Sequence, residues 1–224
     1  MDTTVQEATS NMAFMDNREL SQISPTDLIK VCMDNTSDIK DLDSVSERWD
    51  ILERVMLVND IDEAVADAIS HLIRFWNRMD QGVPIHERKP IKIYIDSCGG
   101  SLVGALTIAD SIQMSDTPVY TINMGAAYSG GLLVFVAGHM RYAYKSASFL
   151  FHEGSTNTGA IDAGKFRNFA GYYENLIKKM KDYILELTEI TEEEYKEIRN
   201  DDYWFFADEA IEKGVCDEIM EAFI

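Results

Sequence analysis

Three short apolar runs constrain the fold most. Arg54-Val55-Met56-Leu57-Val58, Ile91-Lys92-Ile93-Tyr94-Ile95 and Pro118-Val119-Tyr120-Thr121-Ile122 each read as a strand. Between the first two, Val65, Ile69, Leu72, Ile73 and Trp76 recur at helical spacing. Between the second and third, the apolar residues are Leu102, Val103, Leu106, Ile108, Ala109 and Ile112. Strands separated by helical stripes build βαβ units and a mainly parallel sheet. Such a sheet places its chemistry beyond the carboxyl ends of its strands. The chain has 224 residues, enough to bury one core of this kind.

The connections agree. Asp60-Ile61-Asp62-Glu63 reads as a helix start with Asp60 as the cap and Glu63 in the third position. Arg141 to Tyr144 and Ser148 to His152 are two further short strands. A long helix spans roughly 161–188, with a stripe of Phe166, Phe169, Tyr173, Leu176, Ile177, Met180, Ile184 and Leu187. Thr191 with Glu194 caps another helix. A last helix near 208–213 stops at Gly214, and Val215 to Ile219 returns as a strand. Residues 1 to about 20 have few apolar groups and no period, so an arm is expected there. Ser24-Pro25-Thr26-Asp27 starts a short helix, Leu28 to Met33, and an acidic linker comes after it. The expected organisation is an N-terminal extension over 1–44 and one domain over 45–224.

Two glycine-rich turns come after strands. One is Asp96-Ser97-Cys98-Gly99-Gly100-Ser101; the other holds Ser129 ahead of Gly130, Gly131 and the apolar run Leu132 to Val136. A serine just before a buried helix sits beside free backbone N–H groups at the positive helix end. Those are the parts that bind a developing oxyanion. An activated serine also needs a base, and the base an orienting acid. Of the four histidines, His71 flanks a helix stripe and His86 lies in a polar loop. His139 sits at a helix end, where a cation is favourable. Only His152 closes a strand. The acid is not singled out among 39 Asp and Glu residues; Asp96, Asp162, Asp201 and Asp202 all remain open.

The formal net charge of −19 excludes a phosphate-binding surface of clustered Lys and Arg, so no nucleic acid is expected as a partner. No apolar run reaches the length of a membrane span, and the polar start Met1-Asp2-Thr3-Thr4 carries no secretory pattern. Three scattered cysteines, Cys32, Cys98 and Cys216, form neither a disulfide framework nor a zinc pattern. A cytoplasmic protein without a metal is the expectation.

The motifs resemble one family. Gly125-Ala126-Ala127-Tyr128-Ser129-Gly130-Gly131 is similar to the nucleophile segment of the ClpP serine peptidases, the proteolytic subunits of Clp proteases. Ile93-Tyr94-Ile95-Asp96-Ser97-Cys98-Gly99-Gly100 resembles that family's glycine turn, and Phe149-Leu150-Phe151-His152 its base strand. Glu53 to Asp62 resembles its opening strand, and Asp202 to Ala210 the segment that carries its third triad member. The resemblance runs over about 45–224 and implies an α/β fold, the ClpP/crotonase-like spiral of ββα and βαβ units with outer helices and a long handle helix. It implies Ser129 as nucleophile, His152 as base, Asp202 as orienting acid (with Asp201 the rival) and the N–H groups of Gly100 and Gly130 as the oxyanion hole. It also implies stacked heptameric rings of this chain, unfolded protein or peptide substrates, and an AAA+ unfoldase of the ClpX or ClpA type. The chain has no G-x-x-x-x-G-K-[ST] loop, so no cofactor is expected in it and ATP enters only through such a partner.

The chain departs from the family in places. Cys98 stands where proline is usual and reads as a small buried replacement. Tyr128 and Gly130 replace a small residue and Met around the serine, and Glu153-Gly154 replaces Gln-Pro after the base. The alternatives are a phage capsid-maturation-type protease without an unfoldase, an inactive structural ring subunit, and an acyl-CoA enzyme on the same spiral.

Overall fold

The computed structural model describes residues 50–156, 158–160, 162–199 and 201–224. The expected arm, the helix from Leu28 and the acidic linker lie outside the described residues. The chain divides into two units, Met1–Glu53 and Arg54–Ile224. The sheet and its helices belong to the second.

The sheet and helices obey the apolar periods. β1 (Val55–Ile61) leads into α1 (Glu63–Met79), β2 (Ile91–Gly100) into α2 (Leu102–Gln113), and β3 (Val119–Tyr128) into α3 (Gly130–Val136). β4 (Met140–Ala143) and β5 (Ser148–Phe151) come next, then α4 (Ala163–Leu187), α5 (Glu192–Ile198), β6 (Tyr203–Phe206), α6 (Ala207–Glu212) and β7 (Glu218–Ile219). The strands run β1-β2-β3-β4-β7, all parallel, with β5 also on β3 and β6 antiparallel to β5. α1 turns Ala66, Ile69, Ile73 and Trp76 inward, α2 turns Ala105, Ile108, Ala109 and Ile112 inward, and α3 is buried all round.

Two expectations need correction. The first helix is capped by Asp62, whose carboxylate accepts the Val65 N–H, and not by Asp60, because β1 continues through Ile61. The expected turn Asp96 to Gly100 is strand: β2 stays paired with β1 through register shifts, reaching Gly100 opposite Ile61. Its glycines serve close approach between backbones rather than reversal of the chain. Of the long helix stripe, only Met180 and Ile184 are buried, while Phe166 is 53% exposed. The amino-terminal half of α4 therefore has no core to pack on within the described residues.

β3 divides the sheet. Its first half pairs with β4 and its second half with β5. At such a branch, backbone groups lose their ladder partners, and unpaired buried groups are costly. Asn123, fully buried, repairs the branch. Its amide donates to Ser148 O and accepts from Gly125 N, each at 3.0 Å. Asp96 does the same on the other side, accepting the Ala126 N–H at 3.1 Å. At the amino ends of the strands, Arg54 pairs bidentately with Asp80 at 2.6 and 2.7 Å, and Thr117 adds a hydrogen bond to Asp80 at 2.8 Å. These bonds tie the amino ends of β1 and β3 to the carboxyl end of α1.

Candidate active site

β3 delivers the chain to Ser129, and one residue reverses it into α3. Ser129 has φ 53 and ψ −118. Arg54 is the one other non-glycine at positive φ among the described residues. Such a conformation costs about 1–3 kcal/mol and persists only where the surroundings enforce it. Here they do: Ser129 N–H donates to Leu150 O at 2.9 Å, and Ser129 O accepts from Leu132 N and Leu133 N. Helix α3 behind it is buried along its whole length. The side chain is left half-buried at the strand end.

The glycines explain themselves by contact. A Cβ on Gly99 would lie 2.9 Å from both Ser129 Cβ and Tyr128 O. On Gly100, at φ +144, it would lie 2.1 Å from Ile61 O. On Gly130 it would meet Ala105 Cβ at 3.2 Å and stand 3.7 Å from Gly100 N. The two turns named from sequence therefore pack directly together, with the Gly100 and Gly130 backbones side by side.

His152 succeeds β5 and Asp202 precedes β6. Because Phe151 lies opposite Tyr203 in the antiparallel ladder, the next pair outward is His152 with Asp202. Their side chains meet, His152 Nδ1 to Asp202 Oδ1, at 3.2 Å. A carboxylate only accepts, so Nδ1 is the donor of this bond, and in the neutral ring Nε2 is left with the lone pair. The register is held beneath by Phe149 stacked on Phe205, centroids 5.2 Å apart. His152 is half-buried and Asp202 exposed. Among the described residues no hydrogen bond joins Ser129 Oγ to His152, and no three His, Cys, Asp or Glu side chains converge to hold a metal ion.

A model of the Clp protease family matches residues 41–223. The chain belongs to the Clp protease family. It is similar to the ATP-dependent Clp protease proteolytic subunit of Streptococcus mutans, 30% identical over 172 residues, 75% of this chain and 84% of that one. It is also similar to subunit 2 of Rhodococcus jostii, 29% identical over 80% of this chain and 89% of that one. Among solved structures, a ClpP1 mutant from Listeria monocytogenes superposes with a TM-score of 0.66 at 22% identity, over 80% of this chain and 96% of that chain. The fold is thus the ClpP spiral, and the chain is of the Clp serine peptidase class.

Within this Clp fold the other candidate residues have different employments. Asp96 serves the Ala126 N–H, and Asp162 caps α4 through Gly164 N and Lys165 N. Asp201 makes no hydrogen bond or ion pair among the described residues. His71 and His86 are exposed. His139 Nδ1 accepts the Val119 N–H at 3.0 Å, a bond that protonation would forfeit, so this ring is not the helix-end cation its position suggested. Cys98 is exposed rather than buried, because it falls on the outward phase of the β2 alternation.

The sequence marks Tyr128 and Glu153 as unusual neighbours of the serine and the base, but not the contacts they make. Glu153, beside the histidine, is held by Tyr195 OH at 3.2 Å and faces Arg199 at 3.7 Å. Burial, then the Glu153 charge, pushes the Tyr195 phenol well above its usual range. Tyr128 and Ser148, next to the strand ends, are joined at 2.8 Å. The signal available in sequence was a bulky aromatic beside the serine and a charged residue directly after the base.

Proposed function

We propose that this Clp-family chain hydrolyses peptide bonds with Ser129 as nucleophile, His152 as general base and Asp202 as its orienting acid. The observation that carries the reading is the backbone of Ser129, a non-glycine held at φ 53 where a strand turns into a buried helix. Strain of that kind marks sites where a side chain must be presented.

The steps use only this chain's groups and water. Ser129 Oγ attacks the carbonyl carbon while its proton passes to His152 Nε2. The imidazolium is stabilised by Asp202 through Nδ1–H. The carbonyl oxygen, now an oxyanion, accepts from the N–H groups of Gly100 and Gly130. Collapse breaks the C–N bond as His152 gives its proton to the leaving amine. Water, deprotonated by His152, then releases the acyl group and restores Ser129. The Ser129–His152 hydrogen bond forms as substrate seats the imidazole, as catalytic contacts commonly tighten on binding.

The working form is an oligomer of this chain, in stacked rings around a chamber, cleaving unfolded polypeptides supplied by an AAA+ unfoldase that alone uses ATP. Parallel sheets are ordinarily covered on both faces. Here Leu57 on β1 is 55% exposed, and Trp204 and Phe206 on β6 are 54% and 61% exposed. These exposed apolar side chains on two separate strands support self-association. No helix of the described residues is long and apolar enough to cross a membrane, and the free Cys98 and Cys216 suit a reducing cytoplasm. The test is turnover of a short fluorogenic peptide by the assembled protein. The proposal requires turnover that Ser129→Ala abolishes; equal rates in wild type and Ser129→Ala overturn it.

A further inference from the structure

Tyr128, Leu150 and Trp204 form one row across three strands. Tyr128 on β3 lies opposite Leu150 on β5, and Leu150 lies opposite Trp204 on β6. Each strand places a proposed catalytic group within two residues of this row: Ser129 is next after Tyr128, His152 lies two beyond Leu150, and Asp202 lies two before Trp204.

Among the described residues β6 is the outermost strand of this half of the sheet and pairs only with β5. Its ladder is four residues long, so the carboxylate at its start depends on a short edge strand. Strand β3 does not touch β6 through backbone, yet their side chains meet over the strand between them. The Tyr128 and Trp204 ring centroids are 4.9 Å apart, edge to face at 78°. Leu150 beneath them is only 7% exposed, although its strand neighbours Phe149 and Phe151 point to the opposite, core face. The rings supply that cover. The Tyr128 hydroxyl adds a second tie. It meets Ser148 Oγ at 2.8 Å, and Ser148 Oγ donates onward to Gly125 O at 3.1 Å, so the tyrosine is the donor of the first bond. The same side chain thus grips β5 at Ser148 and β6 at Trp204 while its backbone abuts Ser129.

We propose that Tyr128 is a positioning residue, a clamp that holds the three strand ends in one register and so keeps Asp202 on His152. The inference rests on the triad reading above. It also accounts for a bulky ring beside the nucleophile, where the resembling segments have a small residue. Displacement of a catalytic group by about 1 Å costs on the order of 100-fold in rate, so loosening an edge strand is felt in turnover before it is felt in folding.

The test compares Tyr128→Ala, Tyr128→Phe and Trp204→Ala in the full chain, with two readouts. Amide hydrogen exchange at Tyr203 to Phe206 reads the clamp whether or not the enzyme turns over. Peptide hydrolysis reads its consequence, with the melting temperature recorded for each variant. Tyr128→Ala and Trp204→Ala are expected to speed β6 exchange at least tenfold and to lower kcat about 10- to 100-fold with KM little changed. Tyr128→Phe, which keeps the ring contact, restores kcat to within about threefold of wild type. In an Asp202→Asn background, Tyr128→Ala has little further effect on kcat, whereas a merely structural loss would add in full. Unchanged exchange in Tyr128→Ala overturns the clamp irrespective of the triad. Faster exchange with unaltered kcat in a protein whose turnover needs Ser129 overturns the positioning role alone. A wild type without Ser129-dependent turnover overturns the triad and the positioning role together, while the exchange data still report the contact.

Discussion

Gly99→Ala isolates the support of the Ser129 turn from general stability. At φ +100 an alanine is strained, at about 1–3 kcal/mol. Its Cβ would also press on the turn, 2.9 Å from Ser129 Cβ and Tyr128 O and 3.1 Å from Gly130 N, where ordinary contact begins at 3.4 Å. The turn must therefore retreat by about 0.5 Å, and at roughly 100-fold per ångström that is about tenfold in kcat. If the Gly130 N–H leaves the oxyanion as well, the loss approaches about 10²–10³-fold. The strain alone lowers the melting temperature by about 2–12 °C in a domain of this size. Gly82→Ala is the matched control, since Gly82 has φ +87 but nothing within 4 Å of an added Cβ. It should share the loss of stability and keep its kcat. The assay is kcat and KM on a fluorogenic peptide beside a thermal melt for both variants. Equal kcat in Gly99→Ala and Gly82→Ala, with equal losses of melting temperature, refutes the reasoning.

Three further outcomes are expected. Asp202→Asn should lower kcat by on the order of 10³–10⁴-fold through the wrong imidazole tautomer, whereas Asp201→Asn stays within about twofold; single-residue kinetics distinguish them. Asp80→Asn, which breaks the buried pair with Arg54, should remove about 3–5 kcal/mol in urea unfolding. Burial raises the Asp80 pKa, but the Arg54 and Thr117 hydrogen bonds outweigh it and hold the carboxyl below its ordinary value. Its stabilisation is therefore complete above the unfolded carboxyl pKa, about 4, and is lost as pH falls through the lower folded value. The urea midpoint should drop between about pH 5 and pH 3, and less steeply in Asp80→Asn. Cys98, exposed, should alkylate in the native protein, while Cys216, buried with its thiol pushed up to about 11, should not; peptide mass spectrometry after iodoacetamide treatment reads both.

The βαβ alternation and the placing of Ser129 and His152 at strand ends were legible because both rest on local periodicity. The Thr191–Glu194 capping box was legible for the same reason. The meeting of His152 with Asp202 rather than Asp201 was not, since it depends on Phe151 facing Tyr203 in an antiparallel ladder, a non-local register. The branch in β3 was hidden likewise: nothing around Asn123 announces that one strand pairs with β4 and then β5. The Asp96 to Gly100 segment was misread because glycine pairs usually mark turns. Here they mark two backbones in contact, with Ile61 O against Gly100. Cys98 reads as buried from its place in the resembling motif, whereas the β2 alternation assigns it to the open face.

Activation of Ser129 by His152 is tested most directly by fluorophosphonate labelling of the assembled protein, with the adduct mapped by mass spectrometry. A single adduct on Ser129 is predicted, absent in Ser129→Ala and formed at least about 10³-fold more slowly in His152→Ala. An adduct on another residue, or Ser129 labelled at the same rate in wild type and His152→Ala, contradicts the assignment.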